Sequence, residues 1–239
     1  MPETLPADFA FSNLTGRPPG PVVSFLSRLL PGVRDVQAQT APYAQAWAEH
    51  NYAQAWAEHN PEALVATGPL WVVLGDSMSQ GIGASRYDRG WVGQLAPSLP
   101  GHRCVNLSMS GGRIQDVLDL QLPAMASLGV EPALLTVMIG TNDLMSPPHR
   151  GGAARRLSML LDQLPPGTII GNQPGRYSDA LEFNRLIDEA VAHRGQVLAE
   201  FRDPRMRGWK GRLAADHFHP NDAGYAVMAE IIGEALTRR

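Results

Sequence analysis

From Pro69 onward the chain alternates short apolar runs with amphipathic segments, and this alternation restricts the fold more than any other property of the sequence. Residues 70–74, 104–107, 134–139, 168–171 and 196–201 read as five successive strands. Continuous apolar runs of this length suit strands covered on both faces, as in parallel sheets. Between them, helical patterns occupy residues 91–99, 114–128 with a break expected at Pro123, 153–164 and 178–193. A last helix over 222–237 follows Asn221 as its N-cap. Such alternation with right-handed crossovers predicts an α/β protein, a three-layer α/β/α sandwich on a five-stranded parallel sheet. Two regions are expected: an N-terminal extension over 1–68, mostly helical, and one α/β domain over 69–239.

The first strand, Leu70-Trp71-Val72-Val73-Leu74, breaks abruptly into Gly75-Asp76-Ser77. Ligands of open α/β sheets bind beyond the carboxyl ends of the strands, which is where Ser77 would stand. A helix starting after it would aim backbone N–H groups at the turn, an environment suited to an oxyanion. Gly, Asp and Ser are equally ordinary turn residues, so the triplet takes its meaning from the other strand ends. No Gly-rich phosphate loop follows this strand, which argues against a nucleotide enzyme.

With 44% hydrophobic and 18% charged residues in 239, the chain has the composition of a globular protein. Its formal net charge of -3 offers no electrostatic case for nucleic acid or an anionic membrane. Cys104 is the single cysteine and falls in a predicted strand, so it is expected to be buried and no intramolecular disulfide can form. Met1-Pro2-Glu3 lacks the basic start of a signal peptide, no apolar core follows, and no stretch has the length of a transmembrane span. A cytoplasmic location is expected, a mature chain trimmed of its signal being the alternative.

The extension begins with seven prolines among its first 42 residues and is expected to be irregular there. After Pro21, Val22, Phe25, Leu26, Leu29 and Leu30 recur at helical spacing, predicting a short amphipathic helix packed on the core. A lid over the site, a membrane-surface helix or an oligomer contact is the alternative role. Tyr43 to Asn51 then repeats unchanged as Tyr52 to Asn60. Nine residues at about 100° each leave the second copy about half a turn out of phase, so the two Tyr/Trp pairs cannot fill one groove. One copy is therefore expected to be exposed, unwound or packed on another surface. His50 and His59 are expected near helix ends, where a cation is favoured.

Three more polar loops follow predicted strands. In Asn106-Leu107-Ser108-Met109-Ser110-Gly111-Gly112, Gly111 can offer its N–H to a ligand, or the paired glycines merely start the next helix. In Gly140-Thr141-Asn142-Asp143, Asn142 can point its amide at an oxyanion or form a turn with its own backbone. In Asp216-His217-Phe218-His219-Pro220, Asp216 can orient His219 so that its Nε2 faces Ser77, with His217 as the competing base. His217, His219 and Asp216 also allow a metal reading, although no second His/Asp cluster completes a site. His102 and His149 read as loop residues. Trp71, Trp91 and Trp209 read as packing residues, Trp209 being the one in a loop that could shape a cleft.

Taken together, these four blocks resemble those of the SGNH hydrolases, the GDSL-type lipases and esterases, over Pro69 to the C-terminus. The resemblance implies a flavodoxin-like sheet with Ser77 as nucleophile, His219 as general base and acid, and Asp216 as its orienting partner. It implies an oxyanion hole made by the Ser77 and Gly111 N–H groups and the Asn142 amide. It also selects His219 over His217, through the offset from Asp216 and the following proline. No metal or organic cofactor is implied, and the expected substrate is a small-molecule ester. Acyl transfer, thioester cleavage and carbohydrate deacetylation use the same triad, and a non-catalytic binding module is the remaining alternative. The Gly-x-Ser-x-Gly pattern of α/β-hydrolases is absent around Ser77.

Overall fold

The computed structural model describes residues 9–59, 68–175 and 178–239, with the side chains of 52–59 excepted. Its centre is a parallel sheet of β1 (Leu70–Gly75), β2 (Arg103–Asn106), β3 (Leu134–Met138), β4 (Ile169–Gly171) and β5 (Val197–Ala199), in the order β2-β1-β3-β4-β5. That is the flavodoxin-like order, with a topological switch beside β1. All six residues of β1 are buried, because both its faces are covered.

Leu70, Val72 and Leu74 face one core layer, while Trp71 and Val73 face the other. The first layer is closed by α10 (Ala153–Gln163), α11 (Ser178–Arg194) and the helix after β2. The second is closed by α5 (Trp91–Leu95) and α12 (Asp222–Leu236). Trp71, Trp91 and a half-buried Trp209 all pack in this second layer. Asn221 caps α12 as expected, accepting from the Ala223 and Gly224 N–H groups at 3.0 and 3.1 Å. Cys104 is buried, which pushes its thiol far above the ordinary range.

The expected break at Pro123 does not occur. The helix runs from α6 (Ile114–Asp116) through a π-turn (Val117–Gln121) into α7 (Leu122–Ser127), with Pro123 in the first turn of α7. The wider turn accommodates the residue that cannot donate to the ladder.

The extension contains α1 (Pro21–Leu29), α2 (Pro31–Gln37) and α3 (Thr40–His59). Phe9 joins the first core layer and Trp47, on α3, joins the second. The packing expected of α1 is not found, since none of its residues is buried; Val33 and Val36 of α2 make the apolar contact instead. Helix α3 runs through both repeat copies, and the first copy docks. Tyr43 Oη donates to Ala84 O at 2.6 Å, Trp47 Nε1 to Gln80 O at 3.0 Å, and Asn51 Nδ2 to Asn106 O at 3.2 Å. The side chains of Tyr52 and Trp56, which would show where the second pair faces, lie outside the described residues. His50 is not at a helix end, because the second copy continues the helix; it stands edge-on to Trp47, and burial lowers its pKa. Among the described residues no helix is long and apolar enough to cross a membrane.

Candidate active site

The end of β1 is shaped by crowding. Gly75 has φ 156°, and a Cβ there would lie 2.4 Å from Met138 O and 2.5 Å from Ser79 Oγ. Only glycine fits, and the chain turns immediately into α4 (Ser77–Gln80). Asp76 caps α4, its Oδ1 accepting from Met78 N at 3.0 Å, while its carbonyl accepts from Ser79 and Gln80 N. The Ser77 N–H is the first-turn donor these bonds do not use. Burial pushes the Asp76 carboxyl up to about 7, with the Asp143 carboxylate adding to the shift against the Met78 hydrogen bond.

Ser77 meets the loop before α12. His219 Nε2 lies 3.0 Å from Ser77 Oγ, and His219 Nδ1 lies 2.6 Å from Asp216 Oδ2. With the proton on Nδ1, the imidazole donates to Asp216 and accepts from the serine hydroxyl. The other Asp216 oxygen accepts from the Phe218 and His219 N–H groups, each at 3.0 Å, closing a tight turn. This turn sends His217 to φ 56° and leaves it out of the chain of hydrogen bonds to Ser77. Burial raises the Asp216 carboxyl, but the hydrogen bond from His219 and the turn N–H groups outweigh it and hold it below its ordinary value. Gly83 fixes the distance between the two loops, because a Cβ there would lie 2.5 Å from Pro220 O and 2.7 Å from His219 Cβ.

The other two loops arrive from β2 and β3. Asn142 lies in α8 (Thr141–Leu144), and its Nδ2 donates to Gly112 O at 2.8 Å, one residue from Gly111. Asn142 Nδ2 makes this single hydrogen bond among the described residues. Asp143, fully buried, accepts from Ile114 N at 3.0 Å and from Arg156 at 3.1 Å, so it joins the two loops. The structure thus brings together Ser77, His219 and Asp216, and joins Asn142 to the residue that follows Gly111.

Several polar residues that sequence reasoning passed over hold this arrangement. Gln121, in the π-turn, accepts from Gly75 N and donates to Gly75 O, both at 2.8 Å. Gln80, fully buried, donates to Ser108 O at 2.9 Å and Asn13 O at 2.6 Å, and accepts from Ser110 Oγ at 2.6 Å. Asn13 in turn donates to Asn106 O and Ser108 O at 2.8 Å. Nothing in the sequence around these residues marks their partners, which are mostly backbone atoms distant in the chain. His149, read as a loop residue, lies in α9 (Pro147–Arg150) between Ser146 Oγ at 2.8 Å and Arg113 at 3.1 Å. Burial, and after it Arg113 and Arg156, lower its pKa.

A cavity of about 530 Å³ lies between α2, the 83–85 segment and the start of α12, lined in part by Val36, Gln39, Gly83 and Ala214. None of Ser77, His219 and Asp216 lines it. Among the described residues no group of three or more His, Cys, Asp or Glu is placed to hold a metal ion.

Comparisons with known proteins agree with this fold. The structure called TesA superposes with a TM-score of 0.60 at 24% identity, over 71% of this chain and 98% of that one. An extracellular lipase from Streptomyces rimosus gives 0.52 at 17% identity, covering 70% and 100%. Axe2, an acetyl xylan esterase from Geobacillus stearothermophilus, gives 0.53 at 17%, covering 71% and 94%. No curated protein sequence matches. Residues 73–227, well over half of the chain, match the GDSL-like Lipase/Acylhydrolase family, and the chain belongs to that family of SGNH hydrolases.

Proposed function

We propose that the protein hydrolyses carboxylic esters through an acyl-enzyme on Ser77. The observation that carries this is the unbroken line Asp216, His219, Ser77, with contacts of 2.6 and 3.0 Å. His219 Nε2 takes the Ser77 proton as Oγ attacks the ester carbonyl, and Asp216 stabilises the imidazolium. The developing oxyanion is met by the N–H groups of Ser77 and Gly111 and the free hydrogen of the Asn142 amide. Each such donor contributes roughly 3 to 4 kcal/mol to the transition state. Collapse expels the alcohol, which receives the proton from His219. Water, deprotonated by the same imidazole, then releases the acid and restores Ser77.

In this proposal residues 69–239 carry the chemistry, and the extension supports it through Asn13, bonded to Asn106 O and Ser108 O, and Trp47, bonded to Gln80 O. Ser77→Ala is expected to abolish turnover of a short-chain aryl ester while leaving the unfolding midpoint within a few degrees of the parent. Unchanged turnover in that variant refutes the mechanism.

A further inference from the structure

Arginine stays charged at every working pH, and its planar fork is ordinarily matched by a carboxylate or phosphate. Around the Gly111 and Asn142 loops Arg17, Arg150 and Arg156 are matched in that way. Arg17 ion-pairs with Asp116, Arg150 lies 3.4 Å from Asp179, and Arg156 lies 3.1 Å from the fully buried Asp143. Arg113 differs from all three. Among the described residues its side chain meets only His149 Nε2, at 3.1 Å, and its Nε is buried without a hydrogen-bond partner. An arginine can only donate, so this imidazole nitrogen accepts, which puts the His149 proton on Nδ1 and directs it to Ser146 Oγ at 2.8 Å. Burial, then Arg113, Arg156 and Arg17, favour that neutral form against the opposing pull of Asp143. A neutral imidazole cancels none of the guanidinium charge. Leaving a partly buried cation unmatched costs free energy, which an incoming anion would recover.

The position of Arg113 ties it to the candidate site. It follows Gly112, whose carbonyl accepts from Asn142 Nδ2 and where a Cβ would lie 3.2 Å from Gly75 O, two residues before Ser77. Its bond to His149 spans the two loops that carry Gly111 and Asn142. Ile114 and Ala153, which open the helices after these loops, belong to the first core layer, whereas α12, which follows His219, closes the second. The Arg113 and His219 loops therefore lead into opposite faces of the sheet. In the proposed reaction His219 must face the leaving oxygen to protonate it, so the acyl part is left to the other side.

We infer that Arg113, held by His149, determines specificity by pairing with a carboxylate on the acyl part of the substrate, so that the preferred esters are half-esters of dicarboxylic acids. The inference rests on the ester-hydrolase proposal and names its substrate class. Hydrolysis takes up one water and releases the alcohol and a dicarboxylate. Charge selects the kind of anion. With Arg17 matched by Asp116 and Arg156 by Asp143, Arg113 leaves one positive charge over, which a carboxylate balances, whereas a phosphate group brings about -1.5 to -2.

The experiment compares monoethyl succinate with ethyl isocaproate, its neutral counterpart in shape, and with the carboxylic ethyl ester of phosphonopropionic acid. Binding is measured by calorimetry on Ser77→Ala, and kcat/KM by ethanol release from the unaltered chain. The half-ester is expected to bind and to react better than isocaproate by about tenfold or more, the effect of one charge-assisted hydrogen bond. Arg113→Gln is expected to erase that ratio in both measurements, whatever loss it causes to both esters alike, and Arg113→Lys, which keeps the charge, to preserve a preference for the half-ester. A purely structural arginine would move both esters together. A chain without the preference, a ratio that Arg113→Gln leaves unchanged, or a stronger preference for the phosphonate each overturns the inference. Selective binding of the half-ester by Ser77→Ala, with no turnover of it or of a short-chain aryl ester by the unaltered chain, refutes the ester-hydrolase proposal instead.

Discussion

Two helices of the same extension, both rich in apolar residues, end in opposite situations. The first repeat copy on α3 buries Trp47 and directs Tyr43, Trp47 and Asn51 to three backbone carbonyls, of Ala84, Gln80 and Asn106. Helix α1 has no fully buried residue and, among the described residues, no side-chain hydrogen bond to the α/β domain. The difference lies in polar tips. An apolar stripe is sticky without direction, whereas an indole N–H or a carboxamide that must be satisfied on burial specifies one place. A helix carrying such groups docks, whereas the exposed stripe of α1, made of Val22, Phe25 and Leu29, has none of them.

The largest effect that would sharpen this contrast is expected from Trp47→Ala. Loss of a buried indole costs about 3–5 kcal/mol, read by chemical denaturation, and a value near zero would mean the copy is not docked. Next comes a pH effect at the serine turn. The Asp76 carboxyl is raised to about 7 in the folded chain from 3.8, so the folded state holds a proton that the unfolded state releases. Stability is therefore expected to fall as pH rises from about 4 to 7, by up to about 4 kcal/mol, and Asp76→Asn should flatten that slope. Gln80→Leu, which strands carbonyls and a hydroxyl around the Ser110 loop, is expected to cost about 1–3 kcal/mol and to lower kcat more than it raises KM. The smallest effect belongs to Phe25→Ala, within about 0.5 kcal/mol by denaturation, since its ring is already in water. A loss of several kcal/mol there would erase the contrast.

The five strands and the four blocks were legible because each rests on local chemistry: apolar runs of strand length, and polar residues directly after them. Ser77, Asp216 and His219 were marked by the four blocks taken together, and the choice of His219 over His217 came from the resemblance to the SGNH hydrolases. Pairing with His219 rather than His217 is visible in the structure as a turn closed on Asp216, which a linear pattern does not state. Gln80, Gln121 and Asn13 were not legible, because most of their partners are backbone atoms far along the chain, 28, 46 and 93 residues away in these bonds, and backbone partners leave no mark on residue identity. The docking of α1 was misjudged for a related reason. Periodicity shows that a helix has an apolar face, and leaves open what that face meets.

The grip of Gln121 on Gly75 has a wider consequence. A carboxamide that both donates to and accepts from one residue's backbone behaves as a detached peptide group, lengthening the sheet by a single rung where no strand exists. Asn51 repeats the device on the outer edge of β2, meeting Asn106 O at 3.2 Å and Asn106 N at 3.3 Å. The sheet is thus sealed at its reactive end by two borrowed rungs. Each is supplied by a helical segment, so movement of either would be felt first as a loosening of the strand ends beside Ser77 and the Ser110 loop.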